Sequence, residues 1–288
     1  MLAKAAGLGA DMVLLDLEDA VPPAEKTDET RTRVVGALRN REWAAPTRAV
    51  RVNAVSTRWC FRDLTAVVEG AGAALDSVVV PKVESAAHVQ FVDLLLTQLE
   101  TELGLAKRIA LELQIESPRG LVAIEEIAAA SSRTETLIFG PGDFAASLGV
   151  PQLTVGAIDP DYPGDQWHYV LMRIVTTAHA FGLQAIDGPY AVVLDIDGLR
   201  QAAGRSQRLG FDGKWAVHPE QIAICNNVYT PSSEQFERAA RILGAYDAAQ
   251  RRDGAGAVLF EGEMIDEASR KMAEQVAARA RAAGMTTG

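Results

Sequence analysis

Seven short runs of β-branched and aliphatic residues recur along the chain, and each stops at charged or Gly/Pro residues. They cover residues 12–17 before Glu18-Asp19, 49–52 before Asn53, 77–80 before Pro81-Lys82 and 109–115 before Glu116-Ser117. The series continues with 136–139 before Gly140-Pro141-Gly142-Asp143, 183–186 before Asp187-Gly188-Pro189 and 215–217 before His218-Pro219. Nearly continuous apolarity is what a strand covered on both faces requires, and parallel sheets flanked by helices supply such cover. Between the runs apolar residues return at helical spacing, as at Val34, Val35 and Leu38, or at Val89, Val92, Leu96 and Leu99. Pro118 directly after Ser117 suits a first helical turn, where its missing N–H has no partner to lose. Repeating strand–helix units leave two architectures, a doubly wound sheet and a closed barrel.

The polar features follow the strands, which is where a barrel gathers its active site. The nearest approach to a dinucleotide turn, Gly140-Pro141-Gly142-Asp143-Phe144-Ala145, lies mid-chain, lacks an N–H at Pro141 and places an acid where a pyrophosphate would approach. The expectation is therefore an α/β (β/α)8 TIM barrel over residues 1–230. Seven of its eight strands are counted, and the first is expected upstream of Met1. Residues 152–165, rich in Asp, Pro and Gly, read as an inserted rim loop. Residues 231–288 form an extension: a long helix over 232–252, a break at Gly254-Ala255-Gly256, a hairpin from Ala257 to Asp266 and an amphipathic helix from Glu267 to about Ala282. That tail has no place inside a barrel and is expected to pack on a neighbouring subunit.

Acidic residues outnumber basic ones by 38 to 28, a formal charge of −10, which argues against a general grip on nucleic acid or anionic lipid. Cys60 and Cys225 lie far apart and suggest neither a zinc pair nor a disulfide scaffold. No apolar run approaches the ~20 residues of a membrane helix, and the first ten residues are too weakly apolar for a signal peptide. A cytoplasmic protein with neither nucleic-acid nor membrane partners is expected.

Glu116 and Asp143 close two consecutive runs. Carboxylates held together repel unless a cation or proton lies between them. One or two of them with open positions suit Mg²⁺, which keeps waters and takes substrate oxygens. Each singly reads better as an acid at a helix N-terminus, whereas the pair on consecutive strands favours the metal. Asp16, Glu18 and Asp19 share another strand end, where they either orient metal-bound water or form a solvated acidic loop. Arg51 lies within an apolar run, so its guanidinium must be paired or face a polar cavity. It is either a fork for a carboxylate or enolate oxygen or a buried structural ion pair. Lys82 offers a Schiff-base nucleophile or a balancing charge. His218 offers a base or a loop anchor.

Together, Leu14-Leu15-Asp16-Leu17-Glu18-Asp19-Ala20-Val21, Val50-Arg51-Val52-Asn53, Val79-Val80-Pro81-Lys82-Val83-Glu84-Ser85, Ile115-Glu116-Ser117 and Gly140-Pro141-Gly142-Asp143-Phe144 resemble the HpcH/HpaI aldolase and citrate lyase β-subunit family. Trp167-His168-Tyr169, Ile186-Asp187-Gly188-Pro189-Tyr190 and Gly213-Lys214-Trp215-Ala216-Val217-His218-Pro219 are similar to its malyl-CoA and citramalyl-CoA lyase branch. The resemblance implies a barrel that assembles as a homotrimer or homohexamer. Its implied activity is a carbon–carbon lyase, cleaving a 3-hydroxyacyl-CoA thioester to an α-keto acid and acetyl-CoA with Mg²⁺, or Mn²⁺ in its place. Glu116 and Asp143 match the metal ligands, and Arg51 the arginine on the keto-acid and thioester oxygens. Asp266 matches an acid/base that enters a neighbouring subunit's site, and Lys82, Gly142 and Asp143 line the substrate. The chain departs from the family in lacking its opening strand, with an arginine and a Pro-Gly loop that contribute to CoA binding. A malyl-CoA thioesterase and a citrate lyase subunit working on a carrier-protein thioester are the rival functions.

Overall fold

The continuous apolar runs build one parallel sheet whose strands follow chain order. The computed structural model describes residues 5–151, 153–159 and 161–286, and these divide into two compact units between Cys225 and Asn226. In the first unit the strands are β1 (Met12–Asp16), β2 (Thr47–Arg51), β3 (Ser77–Val80), β4 (Ala110–Ile115), β5 (Thr134–Phe139), β6 (Gln184–Asp187) and β7 (Gly213–Lys214). Between them run α1 (Asp28–Asn40), α2 (Cys60–Ala71), α3 (Ala86–Leu103), α4 (Pro118–Val122), α5 (Ile124–Ala129), α6 (Pro141–Leu148), α7 (His168–Ala180) and α8 (Ile196–Leu209). Val78, Val79 and Val80 are all buried, although successive side chains point to opposite faces. Both faces of the sheet are therefore covered, which is why the runs do not alternate.

The sheet is curled. Met12 and Leu14 of β1, Ala49, Val79, Ile138, Ile186 and Trp215, which follows β7, share one apolar cluster on its inner face. Among the described residues β7 pairs with β6 alone and β1 with β2 alone, so these seven strands do not make the expected closed eight-stranded barrel. The last run also differs from expectation. Its ladder residues are Gly213 and Lys214, and Val217 is exposed. The reason is Lys214, whose ammonium is drawn into a buried pair with Asp187 at 2.6 Å and onto Gly188 O at 2.6 Å. After one further bond, Trp215 N–H to Asp187 O, the backbone leaves the sheet.

The division between the units falls within α9 (Pro219–Tyr229). In the second unit α10 (Ser233–Asp253) begins with a capping box of Ser232 and Gln235. The hairpin pairs β8 (Ala257–Phe260) with β9 (Glu263–Asp266) through Glu261 and Gly262, both at positive φ as a tight hairpin turn demands. Helix α11 (Glu267–Ala282) follows, with Ala277 and Ala280 packed against Phe236 of α10. Of the expected rim loop, Gln152 and Pro160 lie outside the described residues, as do the first four residues of the chain. No helix among the described residues is long and apolar enough to cross a membrane.

Candidate active site

Strands β1 to β5 deliver their charged residues to a single end of the sheet. Asp16 closes β1 and Arg51 closes β2, and the two are in register. The guanidinium grips the carboxylate at two points, Nε to Oδ1 at 2.9 Å and Nη2 to Oδ2 at 2.6 Å. Its third nitrogen, Nη1, faces Glu18 Oε2 at 3.3 Å and Asp19 Oδ2 at 3.6 Å. The ring of Trp215 lies 5.4 Å from the guanidinium carbon. Burial alone would raise the pKa of Asp16 and lower that of Arg51. The pair outweighs it, holding Asp16 below the ordinary carboxylate range and Arg51 above its own ordinary value. The structure thus shows Arg51 in an ion pair: two nitrogens hold Asp16, and the third is presented to the acidic rim.

Glu116 follows β4 and is buried. Its Oε1 accepts the backbone N–H of Lys82 at 2.7 Å, and its Oε2 accepts Gln114 Nε2 at 2.8 Å. Gln114 precedes it by two residues and so shares its side of the sheet. The Gln114 acceptor, Oε1, is buried without a hydrogen-bond partner among the described residues. Burial, then the neighbouring charge of Asp143, pushes the Glu116 carboxyl up to about 8. Asp143 lies not at the end of a strand but in the first turn of α6, after the N-cap Gly140 and Pro141. That turn is fixed from behind by Phe139, Phe144 and Trp167, whose rings pack 5.8–6.0 Å apart.

Lys82 links these acids. Its φ is +52°, a left-handed conformation that side-chain-bearing residues seldom adopt. That geometry lets its N–H reach Glu116 while its ammonium lies 2.5 Å from Glu18 Oε1, 3.2 Å from Asp143 Oδ2 and 3.5 Å from Asp19 Oδ1. Burial raises the pKa of Glu18 against the opposing pull of Lys82. Burial lowers that of Lys82, but its carboxylate neighbours prevail and hold it above the ordinary lysine value. An ammonium paired this way is a counter-charge and a poor nucleophile. Asp16, Glu18 and Asp19 are thus ion-paired rather than merely solvated. Gly142 joins the same turn, where a Cβ would meet Val155 Cγ2 at 3.3 Å.

Two further expected residues stand at the starts of helices. His218 accepts the N–H of Glu220 at 3.4 Å, the bond of a loop anchor at the start of α9. Asp266 belongs to the second unit and caps α11, accepting the Ser269 N–H at 3.0 Å. That backbone bond keeps its carboxyl below the ordinary range.

Other partners escaped the sequence reading. Lys26 donates to Glu18 O at 2.8 Å and to Asn53 Oδ1. Asn53 in turn donates from its backbone (2.9 Å) and its amide (2.6 Å) to Asp63 Oδ2, while Arg31 Nε holds Asp63 Oδ1 at 2.7 Å. Arg31 and Asp63 are buried charges within helical patterns, and that was the available signal.

The donor set fits a magnesium-type ion. Each Glu116 oxygen keeps a lone pair beyond its single hydrogen bond, Asp143 is half-exposed, and an ammonium already stands among the carboxylates as a cation would. Among the described residues no group of three or more His, Cys, Asp or Glu side chains is placed to enclose an ion. Two carboxylates with open positions are the arrangement of an ion that keeps water and takes substrate oxygens.

Fold and site define an α/β protein of the strand–helix-repeat class with an ionic centre at the carboxyl ends of its strands. The chain belongs to the HpcH/HpaI aldolase/citrate lyase family, whose model matches residues 1–219. It is 38% identical to an L-malyl-CoA/beta-methylmalyl-CoA lyase of Cereibacter sphaeroides, over 97% of this chain and 90% of that protein. It is 32% identical to a malyl-CoA/beta-methylmalyl-CoA/citramalyl-CoA lyase of Chloroflexus aurantiacus, over 94% and 81%. The crystal structure of CitE from Mycobacterium tuberculosis in complex with magnesium, acetoacetate and coenzyme A superposes with a TM-score of 0.76 at 34% identity, covering 97% and 92% of the two chains.

Proposed function

We propose that this chain is a carbon–carbon lyase that cleaves a 3-hydroxyacyl-CoA thioester of the malyl-CoA class. Its products are an α-keto or α-aldehydo acid and an acyl-CoA. The observation that carries the reading is the dry Glu116 carboxyl beside Asp143 at the sheet's carboxyl end, within reach of the Arg51 guanidinium's neighbours. Similarity to the malyl-CoA lyases supports it.

Glu116 and Asp143 would hold Mg²⁺, with Mn²⁺ as a substitute. When bound, the ion supplies an electrophile for the oxygens of the keto acid. Arg51 Nη1 is the donor left to stabilise the enolate oxygen, because Nε and Nη2 are committed to Asp16. Asp16 and the Trp215 ring hold the fork in plane. Gly142 and Lys82 border the space in which the substrate lies. In the cleavage direction a base removes the proton of the C3 hydroxyl, and the C2–C3 bond breaks. Its electron pair becomes the enolate of the acyl-CoA, which then takes a proton at carbon. Asp266, a carboxylate held ionised by its cap bond, is the base in this reading, supplied to a neighbouring subunit of a homotrimer or homohexamer. Closure of the curled sheet by an eighth strand between β7 and β1, and action in the cytoplasm, belong to the same proposal.

The test is product analysis with malyl-CoA, β-methylmalyl-CoA and citramalyl-CoA, each with and without Mg²⁺. Glyoxylate and acetyl-CoA from malyl-CoA are expected. Malate and free CoA would identify a thioesterase, and activity confined to a carrier-protein thioester would identify a citrate lyase subunit. The three CoA thioesters differ by single methyl groups, each worth about 1–3 kcal/mol in an apolar pocket. Graded rates are therefore expected, and not exclusive use of one.

A further inference from the structure

Lys82 holds the two candidate ligands by different parts of itself. Its backbone N–H is committed to Glu116 Oε1 at 2.7 Å, and its ammonium lies 3.2 Å from Asp143 Oδ2. The ammonium also pairs with Glu18 at 2.5 Å. The backbone accepts a φ of +52° to do both, a conformation that persists only where surrounding contacts over-determine it. We infer that Lys82 is a built-in counter-cation that opposes the divalent ion, surrendering Asp143 when the ion enters and retaining Glu18. This rests on the reading of Glu116 and Asp143 as a cation site.

Glu18, Asp19, Glu116 and Asp143 converge on one end of the sheet, and among the described residues the cations paired with the carboxylates of Glu18, Asp19 and Asp143 are Lys82 and Arg51. Arg51 is anchored by its two-point bond to Asp16, and its third nitrogen faces Glu18 and Asp19. Among the described residues Lys82 is the cation that pairs with a candidate ligand, and its flexible stem lets it yield without moving the strand. Its N–H bond to Glu116 is independent of the side chain. Changing the side chain therefore leaves the other ligand in place. Glu18 is the alternative partner that keeps the ammonium from being stranded once Asp143 turns to the ion. Lys82 is thus a positioning residue that sets how strongly the site takes a cation and keeps the acids together before one arrives.

The test uses Mn²⁺ alone, titrated without substrate into the full-length protein and followed by electron paramagnetic resonance or calorimetry. Lys82→Met removes the charge and keeps most of the stem. It should bind Mn²⁺ about tenfold more tightly than the wild type, the scale expected for losing one cation a few ångströms away in a partly solvated site. Its cation-free melting temperature should fall, and the rise on adding Mn²⁺ should grow. Lys82→Arg restores the charge and should return the affinity to within about threefold of the wild type. Lys82→Gln serves if the Met variant does not fold. A folded, uncharged variant that binds Mn²⁺ equally or more weakly would overturn the inference and leave the cation site standing. A wild-type protein that binds no Mn²⁺ would overturn both.

Discussion

Gly140 lies so close to Glu116 that a Cβ at residue 140 would stand 2.4 Å from Glu116 Cβ and 2.5 Å from its Oε2. It would also stand 2.9 Å from Gln114 Nε2, the donor that holds that oxygen. The φ of Gly140 is −105°, so glycine is required here for space and not for backbone freedom. Gly140→Ala should therefore displace the carboxylate without breaking the sheet. We expect at least a tenfold loss of Mn²⁺ affinity with far-ultraviolet dichroism unchanged, and a destabilisation of about 1–3 kcal/mol from overpacking. Unaltered binding by the alanine variant would mean that Glu116 is not a ligand.

The pH dependence of the site follows from Glu116. Folded and without a cation, it holds a proton up to about 8, whereas the unfolded chain loses that proton near the ordinary carboxylate value. The folded state binds more protons across that window, so this group's contribution to stability falls as pH rises through it. An entering cation must displace the same proton. Mn²⁺ affinity should rise by close to tenfold per unit from about pH 6 and level off above about 8. Glu116→Gln should abolish binding and the pH slope together, and Asp143→Asn should abolish binding. Titrations at four pH values check this. A flat wild-type profile would contradict a protonated Glu116.

Arg51→Lys keeps the charge but loses the two-point bond to Asp16 and the planar face toward Trp215. A loss of about 2–4 kcal/mol in transition-state stabilisation is expected, as for removal of an oxyanion donor. It should appear in kcat more than in KM. Near-normal kcat/KM would assign Arg51 a structural role alone.

Asp63→Ala tests the network behind the site. It removes the acceptor of the Asn53 backbone and amide and a partner of Arg31, leaving a buried guanidinium with its bond to exposed Asp28. Breaking a buried pair from one side costs about 3–5 kcal/mol. Urea unfolding should show that loss. A change below about 1 kcal/mol would mean that water or Asp28 replaces Asp63.

The strands were legible because burial on both faces leaves an unbroken apolar run, and the charged stops marked the rim. Six of the runs coincide with strands to within two residues. The seventh slipped because Lys214, a residue that reads as a strand's end, instead buries its ammonium on Asp187 within the ladder. Glu116 and Asp143 stood out by their positions after successive runs. The pairing of Arg51 with Asp16 depends on the register of β1 against β2, which no local pattern states. The twofold use of Lys82 was illegible for a related reason. A positive φ at a lysine has no sequence signature, unlike the Glu261-Gly262 turn, where the glycine announces it.

In its own chain Asp266 is the N-cap of α11, and Asn is as good a cap as Asp. Asp266→Asn should therefore keep the helix and the fold while removing the proton acceptor, so lost activity would report chemistry and not unfolding. Glu116→Gln, in the other unit, should be inactive for want of a ligand. If sites are shared between subunits of a closed oligomer, co-expression of the two variants builds some sites from an intact Glu116 and an intact Asp266. Activity should then reappear although neither parent has any, and its fraction should follow the mixing ratio. Size-exclusion chromatography with differently tagged chains verifies that mixed oligomers form. Verified mixed oligomers as inactive as their parents would place Asp266 outside the neighbouring site and leave its role as a helix cap.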